Sequence, residues 1–122
     1  MASILLIEDD LPSRNVYQAV LEKAGHDVAV AANGETLKRT HFQTNVDLVV
    51  TDIVMEDVDG IETVMGIKSG NKSTSVLAIS GTDLYLENAK IFSADSTLLK
   101  PFDMKEFLAA VDYVLEQNSA NR

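Results

Sequence analysis

Five short apolar runs recur along the chain, each followed by a longer, more polar segment in which apolar residues return at helical spacing. The runs cover residues 4–7, 28–31, 46–50, 75–80 and 96–99. The third, Val46-Asp47-Leu48-Val49-Val50, lacks strict in/out alternation. That suits a parallel strand buried on both faces. It leads within two residues to a lone carboxylate, Asp52.

The intervening segments predict helices. After the first run, Pro12 falls where a first helical turn tolerates it, Val16, Val20, Leu21 and Ala24 form an inward stripe, and Gly25 supplies a stop. A second helix is expected over residues 33–44, capped by Asn33, with Leu37 and Phe42 inward. Asp59 and Glu62 have capping-box spacing before a stripe of Ile61, Val64, Met65 and Ile67, and Gly70-Asn71 closes this third helix. Residues 83–92 predict a fourth. The clearest is the fifth, with Asp103 and Glu106 at its start and Phe107, Leu108, Val111, Val114 and Leu115 on one face. The polar residues 117–122 are expected to fray.

Strand and helix alternate five times. Units of this length predict an α/β fold with a parallel sheet between two helical layers, and right-handed crossovers leave few topologies. No repeat or linker interrupts the pattern, so residues 1–122 read as one domain.

Charge narrows the function. With 19 acidic against 10 basic residues the net charge is −9, which disfavours nucleic acid or an anionic membrane as direct partner. The chain has no cysteine, hence no disulfide, thiolate metal site or thiol nucleophile. No signal segment or membrane-length apolar run is evident, so a cytoplasmic location is expected.

The chemistry gathers at the strand ends. The first strand leads into Glu8-Asp9-Asp10, the third into Asp52, the fourth ends at Ser80 and the fifth leads into Lys100. In a parallel sheet these ends share one rim, where open α/β sheets bind ligands. Two like charges about 4 Å apart repel by roughly 4 kcal/mol at an effective dielectric near 20. Three such acids therefore call for counter-charge, which Lys100 and a divalent cation would supply. Oxygen ligands alone point to Mg²⁺. A phosphoryl group would then be held by the metal, Lys100 and Ser80, with Asp52 as nucleophile. Asp10 reads equally as a helix cap or a participant.

Ile4-Leu5-Leu6-Ile7-Glu8-Asp9-Asp10, Thr51-Asp52-Ile53-Val54-Met55, Asp57-Val58-Asp59-Gly60, Ser80-Gly81 and Lys100-Pro101-Phe102 together resemble bacterial two-component response-regulator receiver domains of the single-domain, chemotaxis-regulator-like kind. The resemblance covers the whole chain and implies a flavodoxin-like (βα)5 fold with strand order 2-1-3-4-5. It implies that Asp52 accepts a phosphoryl group from a sensor histidine kinase or a histidine phosphotransfer protein. It makes Asp9, Asp52 and the carbonyl of Val54 ligands of Mg²⁺, with Glu8 acting through a metal-bound water. Ser80 and Lys100 would contact the phosphoryl group, and the Lys100–Pro101 bond would be cis. Such a domain catalyses only its own phosphorylation and dephosphorylation. Its output would be an unknown protein target or an effector domain absent from these 122 residues.

Three positions depart from the family pattern. Thr97 stands where an aromatic residue is frequent, so signal is expected to pass through Ser80 and backbone shifts. Glu56 replaces a usual Pro, and Val54 replaces a frequent polar residue near the attacking water. Val54 also argues against the alternative of a Mg²⁺-dependent aspartyl-phosphate phosphohydrolase, which needs a general acid there. A flavodoxin-like cofactor binder is disfavoured by Glu8-Asp9-Asp10, whose charge repels a phosphate.

Overall fold

The computed structural model describes residues 2–32, 46–53, 74–81 and 94–120. The elements within them are β1 (Ser3–Ile7), α1 (Leu11–Lys23), β2 (Asp27–Ala31), β3 (Leu48–Asp52), β4 (Ser75–Ser80), β5 (Ser96–Leu99) and a C-terminal helix α2 (Met104–Ala120). The strands form one parallel sheet in the order β2-β1-β3-β4-β5, as expected. The expected helices over 33–44, 59–70 and 83–92 lie outside the described residues.

Each strand forms where burial on both faces rewards a continuous apolar run. Leu5, Ile7, Val49, Val76 and Ala78 share one cluster with Ala31, Val46 and Ile53. Ile4, Leu6, Leu48, Val50, Leu77 and Ile79 belong to a second, packed with Tyr17 and Leu21 of α1 and Phe107, Val111 and Val114 of α2. β4 and β5 have the bounds read from the sequence, and β1 and β2 each begin one residue earlier. β3 is displaced toward the C-terminus: it starts at Leu48 and keeps pairing through Asp52, which aligns with Ile79. Asp47, just before the strand, already bonds to both neighbours through its backbone, its N–H donating to Ser3 O at 2.8 Å and its carbonyl accepting from Ser75 N–H at 3.0 Å, and its carboxylate accepts the Ser3 N–H at 2.8 Å.

Helix termini follow local chemistry. Asp10 is the N-cap of α1, and its Oδ2 accepts from the Ser13 N–H at 3.1 Å. At the other end, Gly25 takes φ 97°, its N–H donates to the Glu22 carbonyl and the His26 N–H to Leu21. That is a Schellman stop, and only glycine enters that backbone region cheaply. Asp103 and Glu106 cap α2 reciprocally, through Glu106 N–H to Asp103 Oδ1 at 2.7 Å and Asp103 N–H to Glu106 Oε1 at 3.4 Å.

Three sequence expectations are corrected. The inward face of α1 is set by Tyr17 and Leu21, whereas Val16 is 49% exposed and Ala24 is the exposed C-cap. Tyr17 wins this phase because its ring meets Phe102 and Phe107, which Val16 would not reach. The C-terminal segment continues as helix through Ala120 rather than fraying from Gln117. His26, expected to be solvated, is partly buried, and its Nδ1 accepts from the Ala2 N–H at 3.2 Å.

Phe107 is fully buried where α1, α2 and the sheet meet. Phe107→Ala is expected to cost about 3–5 kcal/mol, read as a lower urea midpoint at unchanged slope.

Candidate functional site

Side-chain alternation selects the site. On β1, Ile4 and Leu6 face the α1/α2 side of the sheet; two residues on comes Glu8. On β3, Leu48 and Val50 face the same side, and Asp52 follows. On β5, Leu98 packs on that side, and Lys100 follows. The same two-residue rhythm thus delivers a Glu, an Asp and a Lys to one end of one face. Backbone hydrogen bonds hold this rim: Glu8 N–H to Ala31 O at 3.0 Å, Ile53 N–H to Ile79 O at 2.7 Å, and Lys100 N–H to Ser80 O at 2.8 Å.

The Lys100 ammonium donates to Asp52 Oδ2 at 3.1 Å and lies 3.8 Å from Glu8 Oε1. Asp9 joins from the loop after β1. Glu8, Asp9 and Asp52 each offer a carboxylate oxygen within 4.8 Å of the others. Glu8 is 1% exposed, while Asp9 is open to solvent. Both Glu8 oxygens and Asp52 Oδ1 are buried without a hydrogen-bond partner among the described residues. Buried carboxylate oxygens in that condition are costly, and one lysine cannot serve all of them.

The charge balance shows in the protonation states. Burial pushes Glu8 up to about 8; the neighbouring Asp52 carboxylate pushes the same way, and Lys100 opposes them. Lys100 is lowered by burial, but its hydrogen bond to Asp52 and the charges of Asp52 and Glu8 prevail and hold it above its ordinary value. Lys100→Met is expected to lower stability at pH 8 by about 1–2 kcal/mol, since the charged hydrogen bond is lost but is partly open to water. Mg²⁺ should restore much of it, which a thermal melt with and without the ion would measure.

The sequence-predicted residues Glu8, Asp9, Asp52 and Lys100 therefore meet. Ser80 ends β4, one residue beyond the partner of Asp52, and is buried with its backbone carbonyl on Lys100. Val54, Glu56 and the segment around Asp57 lie outside the described residues. Asp10 resolves as a cap: it is exposed, and its bonds to Ser13 hold its carboxyl below the ordinary value. Phe102 packs against the core as expected, and the Lys100–Pro101 bond is cis. Thr97 is partly buried on β5, beside Ala78.

Sequence reasoning missed Tyr17. It is buried beside Phe102 and Phe107, and burial holds its phenol above the ordinary value, with Lys100 lowering it and Glu8 and Asp52 raising it. The available signal was its spacing four residues before Leu21 and four after Ser13.

Comparison with known proteins speaks to the family. A family model described as the response regulator receiver domain matches residues 4–112. The DNA-binding transcriptional regulator NtrC of Azospirillum brasilense is 32% identical over 120 residues, 97% of this chain but 25% of that protein. The chain thus spans about a quarter of the length of the NtrC relatives it matches. Protein PilG of Pseudomonas aeruginosa is 32% identical over 112 residues, 88% of this chain and 83% of PilG. A CheY-like receiver domain protein from Methanospirillum hungatei superposes with a TM-score of 0.90 over 100% of this chain and 99% of its own, at 19% identity, which speaks to the fold. The response regulator TrrA of Thermotoga maritima, solved in complex with Mg²⁺ and BeF, gives a TM-score of 0.82 at 26% identity over 93% of this chain and 99% of its own. No helix among the described residues is long and apolar enough to cross a membrane. The alternation that gathers Glu8, Asp52 and Lys100 on one rim, the 2-1-3-4-5 sheet and the match over residues 4–112 place this chain in the response regulator receiver domain family.

Proposed function

We propose that this receiver domain, spanning residues 1–122, is a phosphorylation switch in which Asp52 accepts a phosphoryl group. The donor is a phosphohistidine of a sensor kinase or phosphotransfer protein. The observation that carries the reading is the acid cluster with one lysine on it among the described residues: Lys100 lies 3.1 Å from Asp52 while three buried carboxylate oxygens have no hydrogen-bond partner there.

That donor set fits Mg²⁺. The oxygens are hard, their spacing is within 4.8 Å, and two of the three residues still carry unpartnered oxygens. Asp9 and Asp52 would hold the ion directly and Glu8 through a bound water, with the Val54 carbonyl as a further ligand. When bound, Mg²⁺ supplies positive charge against the transferring phosphoryl oxygens.

The chain's own residues do the rest. Lys100 holds one Asp52 oxygen and leaves Oδ1 without a donor among the described residues, available to attack phosphorus. The new O–P bond forms as the bond from phosphorus to the donor's imidazole nitrogen breaks, and that nitrogen keeps the electron pair. Lys100 then turns from the carboxylate to a phosphoryl oxygen, and Ser80 contacts another. The added charge biases the rim and the helices packed below it. A partner protein, or an effector module joined to this domain, reads the change in the cytoplasm.

Acetyl phosphate tests this directly. Wild-type protein is expected to gain one phosphoryl group by intact-mass measurement with Mg²⁺, none with excess chelator, and to lose it to hydroxylamine as an acyl phosphate does. Labelling that survives hydroxylamine or ignores Mg²⁺ would rule the reading out.

A further inference from the structure

Lys100 must reach Asp52 from a strand two places away, and little of its own segment is buried: Pro101 is exposed and Phe102 only partly covered. On one side the segment is pinned by the Lys100 N–H on the Ser80 carbonyl. On the other, two residues on, the ring of Phe102 stacks with Tyr17 at 5.9 Å and 28° and with Phe107 at 5.9 Å and 17°. Tyr17 and Phe107 close the triangle at 5.1 Å. Phe107 belongs to α2, which begins at Met104, two residues after Phe102. Tyr17 is the corner supplied by α1.

The place of Tyr17 also bears on the site. α1 starts immediately after the acidic loop, and Arg14 Nη1 reaches the Glu8 carbonyl at 3.4 Å, so the first turns of the helix lie against the end of β1. Tyr17 stands one turn below Ser13 on that face. Burial raises its phenol; Lys100 lowers it, and Glu8 and Asp52 raise it. The phenol is therefore within electrostatic reach of the three residues that carry the chemistry.

We propose that Tyr17 is a positioning residue of the site: its ring holds Phe102, and through it the Lys100 segment, where the Lys100 ammonium meets Asp52. The ring does the positioning and the hydroxyl contributes little. This rests on Asp52 being the phosphoryl acceptor.

The test compares Tyr17→Leu, Tyr17→Phe and wild type for Mg²⁺ affinity and for the acetyl phosphate labelling rate. Tyr17→Leu is expected to label about tenfold more slowly, as a displaced catalytic group does, with Mg²⁺ affinity within about twofold because Lys100 does not hold the ion. Tyr17→Phe should recover the wild-type rate within about twofold, since the three-ring stack is kept. Wild-type labelling by Tyr17→Leu would overturn the proposal, and so would a parallel loss of Mg²⁺ affinity and rate, which marks general damage to the fold. If Tyr17→Leu does not fold, tyrosine emission decides, because the chain has three tyrosines and no tryptophan. In Tyr85→Phe/Tyr113→Phe, the remaining Tyr17 is expected to change emission when Mg²⁺ and beryllofluoride are added; unchanged emission in protein shown by ¹⁹F NMR to bind beryllofluoride would overturn it. If wild type takes no label, the acceptor reading fails and this inference with it; if wild type labels and Tyr17→Leu keeps pace, only this inference fails.

Discussion

Asp52→Asn is expected to abolish Mg²⁺-dependent labelling, with a loss of at least about 100-fold, while the protein stays folded. An amide is a poor nucleophile and cannot form the acyl phosphate. The fold should tolerate the change because it removes one charge from a crowded acid cluster, in which Glu8 has 1% exposure and no hydrogen-bond partner among the described residues. Urea unfolding at pH 8 without metal should show Asp52→Asn at least as stable as wild type. Weak residual labelling on Asp9, which is exposed beside the same lysine-bearing rim, would fit the electrostatics; full labelling would not.

The second large effect is a dependence of stability on pH. In the folded chain Glu8 is raised from an ordinary 4.5 to about 8, chiefly by burial. Between those values the folded chain holds a proton that the unfolded chain has released. Stability therefore falls as pH rises through this window, by up to about 1.4 kcal/mol per pH unit. Across pH 6 to 8, metal-free wild type is expected to lose about 2 kcal/mol more than Glu8→Gln, which has no proton to release at this position. Mg²⁺ should offset the loss, and its affinity should climb over the same range, because the cation and the proton compete for one charge-poor cluster. Parallel pH profiles of wild type and Glu8→Gln would count against a buried, protonated Glu8.

The sheet was legible in the sequence because strands buried on both faces are written as apolar runs. Val76-Leu77-Ala78-Ile79 has no other reading, and its strand has the expected bounds. Asp52 was read as the acid at the end of its strand, and it is the last ladder residue, aligned with Ile79, although the apolar run itself stops at Val50. The phase of α1 was misread because Val16 and Tyr17 are adjacent and only tertiary contact with Phe102 and Phe107 chooses between them. The site was legible as a set of strand ends; Glu8, Asp9, Asp52 and Lys100 all meet as the strand order requires. What no one-dimensional pattern could give was the contrast between adjacent acids: Glu8 buried, Asp9 open, Asp10 turned into a cap. That contrast depends on the pleat, which sends Glu8 inward over the same face as Leu6, and on the helix start, which claims Asp10.

In the proposed switch the acid cluster under Lys100 receives a phosphoryl group on Asp52 beside Mg²⁺. A crystal structure of the protein with Mg²⁺ and beryllofluoride tests it most directly. The expected result is trifluoroberyllate bonded to an Asp52 carboxylate oxygen, Mg²⁺ between Asp9 and Asp52, and Lys100 and Ser80 each on a fluorine. A beryllofluoride bound elsewhere, or Lys100 still paired with Asp52 beside an empty cluster at saturating ligand, would contradict it.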